Sequence, residues 1–242
     1  MIASLPMYDR PELAETTDRL WCAIRDELRA VGIDAPDTLS RDVDIWDVWT
    51  APDLVFSQTC SLPYRARLRD QVSLIGAPVH QFADCPPGHY FSVIVGRDGQ
   101  IPAAPRLAVN DPLSQSGWAH FHAWLDRSGL AYGAVVITGA HRASARAVST
   151  GHADLAALDA QSWALMQAYD TWAGDLVVLG RSSHSPALPF IAARDADIPA
   201  YQTALRRAID ALDEADRLAL NLFGVHEFPA ARYLDQAIPP EP

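Results

Sequence analysis

Lysine is missing altogether from this sequence: all 19 of its Lys and Arg residues are arginine. Without a lysine amine, Schiff-base chemistry, pyridoxal-phosphate catalysis and the lysine-bearing phosphate loop cannot operate. Cysteine is scarce, and Cys22, Cys60 and Cys85 make an odd count with no Cys-x-x-Cys pair. Cys22 reads as a small buried hydrophobe within a helical pattern. Cys60 and Cys85 would pair only in an oxidising compartment, and free thiols are the expectation. No apolar run approaches the roughly 20 residues that span a bilayer, which argues against an integral membrane protein. Positive charge is in deficit, with a formal net charge of −11, so a nucleic-acid or anionic-membrane surface is disfavoured. Met1 to Tyr8 shows neither the basic region, the hydrophobic stretch nor the cleavage site of an export signal. The chain as written is therefore expected in the cytoplasm, and in the periplasm if a leader had been removed.

Several chemical signatures are absent as well. There is no His-Glu-x-x-His element, no Gly-x-Ser-x-Gly elbow and no glycine-rich dinucleotide fingerprint. His120 and His122, two apart on a helical pattern, point in different directions, and His80 and His89 lack partners at ligand spacing. No metal ligand, cofactor or catalytic residue is assigned.

Apolar residues, at 49% of the chain, suffice for a sizeable core, and the length suits one large domain or two linked lobes. Strand-like and helix-like runs alternate. Ile2 to Tyr8 reads as an opening strand, and Pro11 starts a helix to Val31 with Leu13, Leu20, Trp21, Ile24 and Leu28 at helical spacing. Short strands are expected at 54–57, 72–75, 90–97, 107–110, 134–138, 155–158 and 176–180. Helices are expected at 116–128, 141–150, 161–170 and from about 199 to 223, with a frayed Pro-rich tail at 238–242. Repeated βα alternation implies mostly parallel sheets. Two turn-rich segments, Asp84 to His89 and Ser182 to Pro186, flank the central block. They suggest one lobe formed by 1–88 with 184–242, and a second lobe, 89–183, inserted through a two-strand hinge.

Three strand ends carry polar residues suited to an anion. Ser114-Gln115-Ser116-Gly117 lies between a buried strand and an amphipathic helix. It would set hydroxyls and free N–H groups at a helix start, where the macrodipole favours negative charge. An ordinary serine N-cap accounts for one of these serines, though not for two around Gln with a glycine that permits close approach. Ser57-Gln58-Thr59 follows the strand at 54–57, the place where open α/β sheets bind ligands, and reads equally well as a polar turn. His141, after Thr138-Gly139-Ala140, starts another helix and would hydrogen-bond an oxyanion or cap the helix. Asp159 would accept from a hydroxyl, an amine or an acidic P–OH, or serve as a turn aspartate.

These segments resemble the substrate-binding proteins of phosphate, phosphite and phosphonate ABC transporters, which have the type II periplasmic-binding-protein fold. The likeness is carried by Pro52 to Cys60, Gly88-His89-Tyr90-Phe91-Ser92, Asn110 to Gly117, Gly139 to Asp159 and Ser185 to Pro189. It implies a ligand held between two α/β lobes, its oxyanion capped by Ser114, Ser116, Gly117 and His141. Gln115 belongs to the same helix start. Tyr8, Ser57, Gln58, Thr59, Tyr90 and Asp159 would complete the set by matching position. Ala140 stands where members of the family commonly carry a serine.

The function expected from residues and resemblance together is capture of a small oxyanion for transport or sensing, with an ABC permease or a regulatory protein as partner. The alternative is a lyase- or synthase-like enzyme on the same fold acting on a small organic acid. Its titratable candidates would be His141, Asp159 or His184.

Overall fold

The computed structural model describes residues 1–242. The chain forms two compact units, Met1–His89 with Pro186–Gln236, and Tyr90–Ser185 with Ala237–Pro242. It passes from the first to the second at 89/90 and returns at 185/186, and there His89–Tyr90 and Ser185–Pro186 pair as a two-stranded sheet. The last residues, which the sequence pattern groups with the first lobe as a frayed tail, belong instead to the second unit. The physical reason is a hydrogen bond of 2.7 Å from the indole Nε1 of buried Trp118 to the Pro240 carbonyl.

The first unit is built on a five-stranded sheet in the order Ile2–Ala3, Leu54–Gln58, Phe190–Ala193, Val72–Pro78, Val225–His226. Ile2–Ala3 runs parallel to Leu54–Gln58, whereas Phe190–Ala193 is antiparallel to both of its neighbours. Alternate residues of these strands feed opposite faces, as the period of two requires. Phe190, Ala192 and Ile75 pack with Trp21, Ile24, Tyr201 and Leu205 of helices Ala14–Ala30 and Ile198–Ala211. Ile191 and Val72 pack on the other side with Trp49, Tyr64 and Tyr233. Buried on both faces, the sheet is made of near-continuous apolar runs. Phe190–Ala193 and Val225–His226 have no counterpart in the sequence reading. The expected single helical stretch from 199 is two helices, Ile198–Ala211 and Glu214–Leu220, the second capped by Asp213 accepting from the Asp216 N–H. Arg19 donates twice to Asp216, at 2.7 and 2.6 Å, tying Ala14–Ala30 to the second of these helices and holding that carboxyl below its usual range.

The second unit has its own five-stranded sheet, ordered Val135–Ile137, Leu107–Val109, Leu155–Asp159, Ser92–Gly96, Val177–Arg181. Leu107–Val109 is parallel to both of its neighbours, and Ser92–Gly96 is antiparallel to both of its own. All but Ser92–Gly96 therefore run one way, in agreement with the mostly parallel sheet expected. Ile94, Leu107, Val109, Leu155 and Ala157 present an apolar surface to Trp118, Phe121 and Leu125 of the helical segment 115–128. That segment opens with a wide π-helical stretch, Gln115–Ala119, before His120–Ser128 continues as α-helix. Gly129, with φ 61°, ends it in the left-handed conformation that suits glycine.

The first unit buries a histidine. His80 follows Val72–Pro78, and its Nδ1 lies 2.7 Å from the Asn221 carbonyl. A carbonyl only accepts, so Nδ1 carries the proton. The ring packs edge-on to Tyr8 and against Phe82, and burial pushes its pKa from 6.5 down to about 4. A group depressed in this way is protonated in the unfolded chain at a pH where the folded chain leaves it neutral. It destabilises the fold as pH falls from about 6.5 to about 4 and has no effect above that window. His80→Asn keeps a donor at the Nδ1 position and removes the titration. Urea unfolding at stepped pH should show the variant losing less stability than wild type across this window, by ~1 kcal/mol or more, since each pKa unit corresponds to about 1.4 kcal/mol. Parallel curves for the two proteins would disprove the assignment.

Candidate functional site

In the second unit, strands Leu107–Val109, Val135–Ile137 and Leu155–Asp159 all end at the same edge of the sheet, and each leads into a helix there. The connections are short and tied together. Thr138 N–H donates to the Val109 carbonyl and Gly139 N–H to the Asn110 carbonyl, both at 2.9 Å. Gly139 takes φ 84°, a left-handed turn that brings His141 to the first position of helix His141–Ser149.

The helix start at 114–117 is built by capping. Ser114 Oγ accepts from the Gly117 N–H at 2.9 Å, as an N-cap serine does. Ser114, Gln115 and Ser116 are all buried. Ser116 Oγ lies 3.5 Å from Ser114 Oγ and 2.7 Å from His141 Nε2. This last contact joins two of the elements expected to meet. Gly117 is required by crowding: a Cβ there would fall 1.7 Å from Asn110 Oδ1 and 2.8 Å from its Cγ. First-turn N–H groups have no acceptor within their own helix, so this start presents donors and a favourable dipole end to any group facing it.

Burial pushes the His141 ring down to about 4, and its Nδ1 is buried without a hydrogen-bond partner. Its imidazole is neutral at physiological pH. Asp159 is buried at the end of its strand, directly opposite Ser92 in the ladder, and caps helix Ala160–Tyr169 by accepting from the Ser162 N–H at 2.9 Å. The sequence reading offers a turn aspartate here; in the fold Asp159 is a helix cap. Tyr90 is buried, with its ring 5.3 Å from that of His120. His184, a candidate in the enzyme alternative, is exposed and packs 5.8 Å from the Phe91 ring.

The candidate residues of the first unit lie at its own strand ends. Ser57 and Gln58 close strand Leu54–Gln58, and Thr59 follows, all buried. Gln58 Nε2 donates to the Leu188 carbonyl at 3.0 Å, and the Thr59 N–H donates to the Pro189 carbonyl at 3.0 Å. Those two groups hold the 188–189 segment in place. Ser57 Oγ is buried without a hydrogen-bond partner, an arrangement that structures leave open mainly where a ligand, water or ion is to be received. Tyr8 is part-buried beside His80. All three cysteines are free thiols, and burial pushes the Cys85 thiol up to about 11.

Two residues of this region escape a reading of the sequence. Ser92 Oγ reaches the Ser116 carbonyl at 3.0 Å, and His120 Nδ1 lies 2.8 Å from the same hydroxyl. No local pattern marks either, because their partners are 24 and 28 residues away.

The tight fit of Gly117 gives a direct check on this geometry. Gly117→Ala must displace the Asn110 side chain, and the expected cost is about 1–3 kcal/mol, the range for overpacking. Chemical denaturation measures it, and an unchanged midpoint would mean that Asn110 does not press on this helix start.

Residues 56–235 match the family described as the periplasmic substrate-binding protein of phosphonate ABC transporters. No curated protein sequence matches the chain. Among solved structures, PhnD1 from Prochlorococcus marinus in complex with methylphosphonate is similar over 97% of this chain and 94% of its own, at 16% identity and a TM-score of 0.71. A binding-protein component of an ABC phosphonate transporter from Pseudomonas aeruginosa is similar over 97% and 83%, at 13% identity and a TM-score of 0.69. XAC2383 from Xanthomonas citri, bound to ATP, is similar over 97% and 94%, at 14% identity and a TM-score of 0.68. At such identities the likenesses establish the periplasmic-binding-protein fold. The family match spans most of the sequence, and the chain belongs to the periplasmic substrate-binding proteins of ABC phosphonate transporters.

Proposed function

We propose that this chain captures a small oxyanion of the phosphonate, phosphite or phosphate class, seated at the helix start Ser114–Gly117 and at His141. The observation that carries the reading is the 2.7 Å contact between Ser116 Oγ and His141 Nε2, where two helix starts converge at one sheet edge. Each of these groups is neutral, and an anion held there is bound by hydrogen bonds and helix dipoles rather than by a cation. Such a seat suits a singly charged tetrahedral group whose remaining proton or amine finds an acceptor, and Asp159 is the acceptor we assign to it. Gln115 and Tyr90 belong to the same set. The proposal extends to Tyr8, Ser57, Gln58 and Thr59 of the first unit, with the paired segments at 89–90 and 185–186 as a hinge. The family supplies the partner, an ABC permease to which the solute is delivered. No helix of the chain is long and apolar enough to cross a membrane.

A thermal-shift panel of phosphate, phosphite, methylphosphonate, aminoethylphosphonate, sulfate and small carboxylates tests the ligand class. A true ligand at ~100 times its dissociation constant adds about 2.7 kcal/mol of stability, a clear rise in Tm. Ser116→Ala should then weaken calorimetric binding by about 1.5–3 kcal/mol, the range for a hydrogen bond to a charged group. A panel without any shift, alongside consumption of a larger organic acid, would replace binding by catalysis. Unchanged affinity in the alanine variant would remove the seat from 114–117.

A further inference from the structure

Behind the candidate seat lies a buried chain of hydrogen bonds that the binding reading does not use. Ser185 Oγ is 2.9 Å from His120 Nε2, His120 Nδ1 is 2.8 Å from Ser92 Oγ, and Ser92 Oγ donates to the Ser116 carbonyl at 3.0 Å. All four residues are buried. The proton directions follow from valence. A carbonyl only accepts, so the single hydroxyl proton of Ser92 goes to Ser116. Ser92 must then accept from His120, which places the imidazole proton on Nδ1. A neutral ring protonated there leaves Nε2 as a bare acceptor, and the Ser185 hydroxyl supplies its donor. Ser92 is fixed in turn, since its N–H donates to Ser182 Oγ and its carbonyl accepts from the Ser182 N–H, both at 2.9 Å.

The chain begins at Ser185, where the polypeptide leaves the second unit, and ends on the peptide of Ser116, whose hydroxyl touches His141. We propose that His120 is a positioning residue for the oxyanion seat: through Ser92 it fixes the Ser116 peptide, and Ser185 holds it in the tautomer that does so. Fixing that carbonyl fixes the peptide planes around it, and with them the direction of the first-turn N–H groups. His120 itself touches no ligand. The inference rests on the oxyanion reading of 114–117 and adds to it the element that sets the seat's geometry from behind.

The test combines variants with a spectroscopic signature. In wild-type protein, nitrogen-15 imidazole shifts should report His120 as protonated on Nδ1 and bare on Nε2. Ser185→Ala should reduce that preference. Methylphosphonate is the calorimetric probe. His120→Leu should bind it about tenfold more weakly, the equivalent of one ordinary hydrogen bond. His120→Asn, which keeps a donor near the Nδ1 position, should recover most of that loss, a rescue that bulk packing alone does not predict. A ring protonated on Nε2 would overturn the proposal, and so would a leucine variant that binds like wild type while Ser116→Ala is impaired. Should the leucine variant fail to fold, the asparagine variant and the wild-type imidazole pattern decide. If wild-type protein does not bind methylphosphonate, the oxyanion reading fails for that ligand. The relay is then judged by the imidazole pattern and by amide exchange at Gly117 and Trp118, which must be faster in His120→Leu and in Ser185→Ala than in wild type and close to wild type in His120→Asn.

Discussion

Parallel strands share a carboxyl edge, and in the second unit that alignment determines what lies at the candidate site. Leu107–Val109, Val135–Ile137 and Leu155–Asp159 end together, so the helices that follow them begin together. Donors that are 25 residues apart in sequence, such as Ser116 and His141, come into hydrogen-bond contact for this reason. Had Leu107–Val109 run antiparallel to its neighbours, their helix starts would lie at opposite edges and no such convergence would arise. The antiparallel Ser92–Gly96 serves a different purpose: its first residue enters the same edge from the other direction and supplies a hydroxyl beneath the seat.

Charge is handled in two separate ways. Several arginines lie on the surface in ion pairs, as with Arg69 and Asp70, where a pair contributes little because water screens it. The residues proposed to donate to the anion are hydroxyls, an amide, a glycine and a neutral imidazole, with the Asp159 carboxylate kept for the ligand's remaining proton or amine. Preorganised dipoles require no compensation for stripping water from a cation, and they discriminate by direction rather than by attraction alone. A protein with net charge −11 gains no long-range pull on an anion, so selectivity has to come from these short contacts.

Much of the alternation was legible because each βα unit is a local pattern with its own start and stop signals. Helix 115–128, helix His141–Ser149 and the strands before them follow from apolar periodicity and from glycine at the turns. Phe190–Ala193 escaped that reading. It is a short apolar run directly after Pro189, and its neighbours in the sheet, Leu54–Gln58 and Val72–Pro78, are more than a hundred residues earlier. Val225–His226 is too short to show any period. For the candidate site, the polar clusters at the strand ends were visible, as was the glycine demanded at 117. His120 was not, since its environment is set by Ser92 and Ser185, one from each end of the inserted segment. The sequence does show that His120 and His122 diverge, and the structure gives the reason: His122 pairs with Asp126 one turn on, while His120 faces inward.

The bond from Trp118 Nε1 to the Pro240 carbonyl makes the last residues of the chain a fitted part of the second unit. Trp118 lies two residues beyond Ser116 and two before His120, in the wall that carries both. The chain has seven tryptophans, so this indole becomes an optical probe of the terminus and of the helix start once the other six are replaced. A purification handle fused after Pro242 would hang two residues from that contact.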